Sequence, residues 1–419
     1  MVGLGNRASV FLRRIWHYAT GQAGVQLIAN VSVPEAAGQW PAISPSTPDA
    51  KDRVIQGAAM MQATRPAAAA RQAIDPRRYH EAADPDRSPI APRPPVCLYL
   101  EVTNRCNLLC TTCPRTYADL EPPADLDWDR FRSIVDQLPQ LKRAVLHGVG
   151  EPMLVKTLPK MVRYLAERNV YVLFNTNGTA LNERGGRALI AAGLDELRVS
   201  LDAATRESFK AVRGRDYFER ILANVRRFRA MQEREGAAKP RVSLWLTGLK
   251  QTIAELPDFV CIAADVGVKE VYLQRLVFFN EDAVGLARPD QALFERMTRE
   301  ESDSLRAAEG LARELGIAFS ASGAASEPGL SLERTTSRSP WSLCGRPWTV
   351  MYVTANGRAL PCCIAPFSQH GYENYTLGDA TQETLAEIWN GARYQAFREA
   401  LQTDRPPETC RNCGLRWSL

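Results

Sequence analysis

The sequence predicts an α/β fold built on a parallel sheet, curled or open, and three observations carry that expectation. From Val96 onward, six short apolar runs alternate with amphipathic helical stretches, the pattern that sets each strand beside the next through a helical crossover. Several of those stretches stop at a glycine, Gly193, Gly236 and Gly267, as helices with a left-handed cap do. Composition is ordinary for a globular chain, 45% hydrophobic and 24% charged over 419 residues, enough apolar mass for a full core.

Residues 1–95 differ from the rest. They hold 11 of the 27 prolines, 19 alanines and no cysteine, and their 11 basic and 7 acidic side chains account for +4 of the net charge of +5. Helices are expected at 6–20 and 51–62, with Pro34, Pro41, Pro45 and Pro48 breaking any continuation between them. The Ala-, Pro- and Arg-rich stretch 63–95 is expected to be a linker or partly disordered arm, so that 1–95 forms an N-terminal extension.

Strands are then expected at 96–102, 144–147, 170–174, 196–201, 241–249 and 270–277, with helices at 128–138, 156–168, 183–192, 217–235 and 253–266 between them. One more helix is expected at 291–315, followed by a Ser/Gly/Pro-rich connector at 320–340. A hairpin follows, 348–354 and 358–362 around Asn356-Gly357, then a helix at 381–401. The body therefore divides into 96–320 and 340–419.

A net charge of +5 is too small over this length to mark a nucleic-acid or acidic-membrane partner. No apolar run approaches the roughly 18 residues of a membrane span, and Arg7, Arg13 and Arg14 interrupt the apolar stretch at the start, so a cytoplasmic protein is expected. The ten cysteines are grouped, a distribution that points to metal rather than disulfides.

Cys106, Cys110 and Cys113 form Cx3Cx2C directly after the first strand. A closed structural zinc site needs four ligands, and none of the four histidines, His17, His80, His147 and His370, lies near enough in sequence to complete this one. Three thiolates suit an iron–sulfur cluster with one iron left open. This motif at this place resembles the radical S-adenosylmethionine (SAM) superfamily. The resemblance runs from about 96 to 277 and implies a partial (β/α)6 barrel of the TIM type, with its chemistry at the C-terminal strand ends.

Further motifs fall in the order that the resemblance implies. Gly148-Val149-Gly150-Glu151-Pro152 after the second strand is similar to the family's GGEP motif, with one glycine displaced; the resemblance implies that Gly150 and Glu151 meet the methionyl amine of SAM. Asn175 and Asn177 end the third strand and Ser200 and Asp202 the fourth, where the family contacts the ribose and methionyl carboxylate; Arg213 is a further candidate for that carboxylate. The position before Cys113 is often aromatic in the family but is Thr112 here, which shifts the expected adenine contact to backbone and to Thr247 or Leu249. The chemistry implied is reductive cleavage of SAM to a 5′-deoxyadenosyl radical that abstracts a substrate hydrogen, with flavodoxin or ferredoxin as the electron donor.

Cys344, Cys362, Cys363, Cys410 and Cys413 form a second group, which resembles the SPASM/twitch appendage that carries auxiliary clusters in this superfamily. Five cysteines suffice for one auxiliary [4Fe–4S] cluster beside the catalytic one, the best set being Cys344, Cys362, Cys410 and Cys413, with Cys363 a spare buried thiol. Four cysteines with a CxxC equally make a zinc ribbon. Cys97 and Cys261 are expected to be buried structural thiols. The steps between the four resemble those of 2-deoxy-scyllo-inosamine dehydrogenase.

Period-two alternation puts either the polar and aromatic set Ser243, Trp245, Thr247, Tyr272 and Gln274 in the lumen, or the opposite set with Arg275. His147 is a candidate for proton transfer or a packed core histidine. The expected function is a dehydrogenase-like oxidation of a small polar metabolite. The alternatives are maturation of a ribosomally synthesised peptide and, in another class, a zinc-binding interaction protein.

Overall fold

The computed structural model describes residues 75–76, 79, 82–83, 86–277, 285–293, 297–321, 340–368 and 371–411. The helices expected at 6–20 and 51–62 lie outside these, as does Cys413.

Seven strands run parallel, each hydrogen-bonded to the next: β1 (Cys97–Leu100), β2 (Arg143–Val145), β3 (Tyr171–Thr176), β4 (Glu196–Ser200), β5 (Arg241–Gly248), β6 (Glu270–Arg275) and β7 (Ala318–Ala321). The crossovers carry α1 (Pro114–Tyr117), α2 (Trp128–Asp136), α3 (Leu158–Ala166), α4 (Glu183–Ala192), α5 (Arg206–Arg213), α6 (Phe218–Glu235), α7 (Leu256–Asp265) and α8 (Arg299–Leu315). The expected α/β class and six-strand ladder are borne out. β7 is a strand where a connector was expected to begin. Its four residues are too short and small to show a pattern, and pairing with β6 decides their conformation.

Helix starts follow local chemistry. The Asp127 carboxylate accepts from the Asp129 and Arg130 amides to open α2. α8 begins at Arg299 rather than 291 because Thr298 and Glu301 close a capping box there.

The C-terminal hairpin, β8 (Val350–Val353) and β9 (Arg358–Leu360), turns through Gly357 at φ +99°. β8 pairs in parallel with β1, Cys97 opposite Val350 through Leu100 opposite Val353. With β10 (Gly378–Asp379) this makes one ten-stranded sheet, β10-β9-β8-β1-β2-β3-β4-β5-β6-β7. The hairpin thus extends the barrel sheet past its first strand.

The helix expected at 381–401 is two, α9 (Leu385–Trp389) and α10 (Ala392–Leu401), with α11 (Glu408–Arg411) after them. The break falls at Gly391, whose backbone is extended and where a Cβ would lie 2.7 Å from the Glu387 carbonyl oxygen.

Alternation divides the strand side chains between two cores. Leu98, Leu100, Leu197, Val199, Leu244 and Leu246 face the helices in the large core. Cys97, Tyr99, Val145, Leu173, Val350 and Tyr352 form a second cluster on the lumen side, where Cys97 is buried as expected.

The arm expected at 63–95 is corrected over its last residues, which bind along the C-terminal helices. Arg87, Ser88, Pro89, Ala91 and Arg93 each present a carbonyl to a side-chain donor, from Gln402, Trp348, Arg398, Asn390 and Trp389. A proline-rich extended segment has few amides to pair but keeps all its carbonyls, so side-chain donors fix it where a sheet would not. Arg398 is fully buried and donates to Pro347 and Pro89 carbonyls, each at 2.9 Å, while its guanidinium lies 4.5 Å from the Trp389 ring centre. Arg398→Ala should therefore destabilise the fold by about 2–4 kcal/mol, since it strands buried acceptors and removes a packed cation. Urea unfolding of the two proteins measures this.

Candidate active site

The concave face of the sheet encloses a cavity of about 640 Å³, lined from strand starts such as Arg143 and Glu270 to the loops beyond the C-terminal strand ends. Cys106, Cys110 and Cys113 all line it. Burial pushes the Cys106 thiol up, and the Cys113 thiol to about 12. These thiols must lose their protons to bind iron, so loading the site releases protons. Among the described residues, no three Cys, His, Asp or Glu side chains converge as a single-ion site requires.

The cysteine loop is held from below. Leu109 and Thr111 amides donate to Arg213 and Val212 carbonyls, and the Asn177 amide nitrogen donates to Asn107 Oδ1 at 2.8 Å. The rest of the Asn177 amide is taken by Thr179, whose hydroxyl donates to it at 2.7 Å. Asn177, expected at the cofactor, lines the cavity and also braces the cluster loop.

The displaced glycine has a physical reason. A Cβ at Gly150 would lie 2.1 Å from the Thr103 carbonyl oxygen, and one at Gly148 would lie 1.9 Å from Glu101 Oε2. Both glycines are close approaches, with Val149 turned into the core between them. Glu151 is buried, and its carboxylate accepts from the Met153 amide (3.0 Å), the Thr176 hydroxyl (2.7 Å) and the Asn177 amide (2.6 Å). Burial raises its pKa against these bonds. Three donors fix the group, and a carboxylate keeps a lone pair for one more cation.

Asp202 follows β4 in the left-handed region, at φ +66°. One oxygen accepts from the Thr247 amide at 2.7 Å, and the other meets Arg213 at 2.7 Å. Arg213 also reaches to within 3.6 Å of the Cys110 sulfur; burial works against its charge, but the Asp202 carboxylate beside it raises its pKa. Two buried atoms at these strand ends, the acceptor Asn175 Oδ1 and the donor Arg213 Nε, have no hydrogen-bond partner among the described residues. SAM carries hydroxyl and ammonium donors and a carboxylate acceptor, so the two orphans fit it. Ser200, Thr112 and Thr247 line the same cavity, while Leu249 is buried in a separate core cluster.

Deeper in the lumen, the polar and aromatic set is the one that faces the cavity: Ser243, Trp245, Thr247, Tyr272 and Gln274. Arg275, their rival, lines it too, from the strand end. Trp245 stacks on Tyr272 at 4.1 Å, and the Arg198 guanidinium lies over the same indole, 4.4 Å from its ring centre. Glu196 binds both Arg198 (2.7 Å) and Arg241 (3.2 Å), and these arginines hold its pKa down to about 2. Glu196 and Arg198 share a face with Ser200, so period-two alternation along β4 marks them once Ser200 is placed at the cavity.

His147 lines the cavity as a half-buried, neutral histidine. Its Nδ1 accepts from the Asn175 amide at 3.0 Å, which leaves the proton on Nε2. Burial, with Arg198 and Arg143 nearby, lowers its pKa to about 3. The folded protein therefore binds this proton less well than the unfolded chain. The stability that His147 contributes is full above about pH 6.5 and is lost as pH falls toward 3. His147→Gln should flatten the pH dependence of the unfolding free energy across that window, measured by urea titration at fixed pH steps.

Cys344 and Cys410 pack against the large core and Cys362 against the lumen-side cluster. Trp341 donates to the Thr403 carbonyl at 3.0 Å and Ser368 to that of Thr409 at 3.1 Å, which ties the three cysteine segments together. Cys363, expected to be a spare buried thiol, is half-buried: it packs against the same lumen-side cluster as Cys362 and also lines the cavity, 3.8 Å from Arg346. Cys261 sits on α7, away from the cavity.

Comparisons with known proteins agree with this geometry. Residues 100–260 match the Radical SAM superfamily model and 344–414 the SPASM iron–sulfur cluster-binding domain. A tungsten-containing aldehyde ferredoxin oxidoreductase cofactor-modifying protein of Pyrococcus furiosus is 25% identical over 332 residues, 76% of this chain and 87% of that one. A PqqA peptide cyclase of Gluconobacter oxydans is 27% identical over 325 residues, 77% of this chain and 83% of its own. Streptococcus suis SuiB, solved with its precursor peptide SuiA, shares the fold at TM-score 0.55 and 16% identity, over 83% of this chain and 78% of SuiB. The superfamily match sets aside the zinc-binding interaction protein, and among the described residues no helix is long and apolar enough to cross a membrane. With a three-cysteine loop, a glycine-pinned carboxylate and a cysteine-bearing hairpin on one sheet, the chain belongs to the radical SAM superfamily and carries a SPASM domain.

Proposed function

We propose that this chain modifies a ribosomally made peptide. The observation that carries the reading is the similarity to a PqqA peptide cyclase over 77% of the chain, in a chain that matches both the radical SAM and the SPASM models. Oxidation of a small metabolite, which rested on the steps between Cys344, Cys362, Cys410 and Cys413, gives way to it.

The radical SAM domain binds SAM and a [4Fe–4S] cluster, and the SPASM domain binds auxiliary iron–sulfur clusters; together they supply one-electron chemistry that removes hydrogen from a substrate. Cys106, Cys110 and Cys113 would hold the first cluster, and Cys344, Cys362, Cys410 and Cys413 an auxiliary one. Glu151 and Arg213 take the ammonium and carboxylate of SAM, with Asn175 and Ser200 on its hydroxyls. The Arg198–Trp245–Tyr272 stack offers a flat wall for a substrate side chain, and Gln274 and Ser243 offer hydrogen bonds at its edges. A flavodoxin or ferredoxin delivers the electron.

The test is anaerobic incubation of the reconstituted chain with SAM, a reductant and synthetic peptides encoded beside its gene. A peptide mass change with peptide deuterium appearing in deoxyadenosine is expected. Labelled small alcohols giving up deuterium while every such peptide stays unchanged would overturn the reading. Cys344→Ala should keep part of the SAM cleavage but lose product, so the ratio of deoxyadenosine to modified peptide should rise severalfold.

A further inference from the structure

Glu101 lies one residue beyond β1, on the lumen face with Cys97 and Tyr99, and is fully buried. Among the described residues, no lysine or arginine pairs with it. A buried carboxylate without a cation is costly, and three donors from two distant segments offset that cost. The Val149 amide donates to Oε2 at 2.8 Å, from the turn of the SAM motif. The Tyr352 hydroxyl donates to the same oxygen at 3.0 Å, and the Ala355 amide to Oε1 at 3.2 Å. Both belong to the hairpin between Cys344 and Cys362. The approach is so close that a Cβ at Gly148 would lie 2.4 Å from the Tyr352 oxygen as well. Burial lifts the Glu101 pKa to about 7 in spite of the three bonds.

We propose that Glu101 is a positioning residue that joins the SPASM hairpin to the Gly148–Glu151 turn, so that affinity for SAM depends on the order of the hairpin. The coupling runs through one carboxylate, and the reciprocity of linked equilibria requires it to act in both directions. It rests on the superfamily assignment of the turn and is independent of the peptide reading.

Two variants test it. Tyr352→Phe removes one donor and keeps the ring, while Glu101→Gln turns an NH2 toward donors that need an acceptor. Hydrogen exchange is measured on the full chain before cluster loading, and SAM binding by equilibrium dialysis after loading. Tyr352→Phe should speed amide exchange in residues 147–152 by about tenfold, as loss of one hydrogen bond does, and should weaken SAM binding by a similar factor. Glu101→Gln should do more, in residues 147–152 and in 352–358 together. Folded Glu101→Gln with wild-type exchange at 147–152 and wild-type SAM affinity would overturn the proposal. If Glu101→Gln does not fold, Tyr352→Phe decides: loosening confined to the hairpin overturns it, and loosening that reaches the turn supports it. Failure of the wild-type chain to bind SAM would count against the assignment of the turn itself.

Discussion

Cys110→Ala should reduce SAM cleavage to background, a loss beyond the 10- to 100-fold that removal of an outer-shell partner costs a metal site. On the proposed ligand set, three thiols on one short loop would be the whole protein complement for the catalytic cluster, so none is redundant. Cys110 is also the thiol nearest Arg213, with 3.6 Å between sulfur and nitrogen, so its removal leaves that arginine with Asp202 alone. Iron content after anaerobic reconstitution, visible absorption and deoxyadenosine yield should fall together. Cys261→Ala is the control, because that thiol sits on α7 away from the cavity, and it should keep all three. Full cleavage in the Cys110 variant would remove the loop from the site.

What could be read from the sequence was what lies close together along it. Cys106, Cys110 and Cys113 declare themselves within eight residues, and Gly150 and Glu151 within two. Period-two alternation found Trp245 and Tyr272 because each lies on a single regular strand, and the same rule extends to Glu196 and Arg198. Glu101 was not legible, because its meaning lies in Val149 and Tyr352, the latter 251 positions away. The pairing of β8 with β1 is hidden for the same reason: nothing in Val350–Val353 names its partner. The cavity contact of Cys363 was not legible, because adjacent cysteines look equivalent in a sequence and only the folded turn after β9 brings one of them to the cavity wall. Asn177 was expected to face the cofactor by its place at a strand end; it lines the cavity, and its bonds to Asn107 and Thr179 add a brace that the sequence did not show.

Asp202→Asn should cost about 3–5 kcal/mol of stability and weaken SAM binding by at least tenfold, because it strands a buried cation. The substitution is chosen for what it keeps. Asparagine tolerates the left-handed backbone that position 202 adopts at φ +66°. Its carbonyl can still accept from the Thr247 amide, so the end of β5 stays in place. Only the charge facing Arg213 is lost, at a site where both side chains are at most a tenth exposed and water cannot substitute. Arg213 would then turn toward its other neighbour, the Cys110 sulfur, and away from the SAM carboxylate. Urea unfolding and SAM dialysis give the two effects, and a cycle with Arg213→Met apportions them. If the double variant is less destabilised than the sum of the singles, the cost of Asp202→Asn is the unpaired guanidinium. If the two costs simply add, the Asp202–Arg213 ion pair has no part in holding the site.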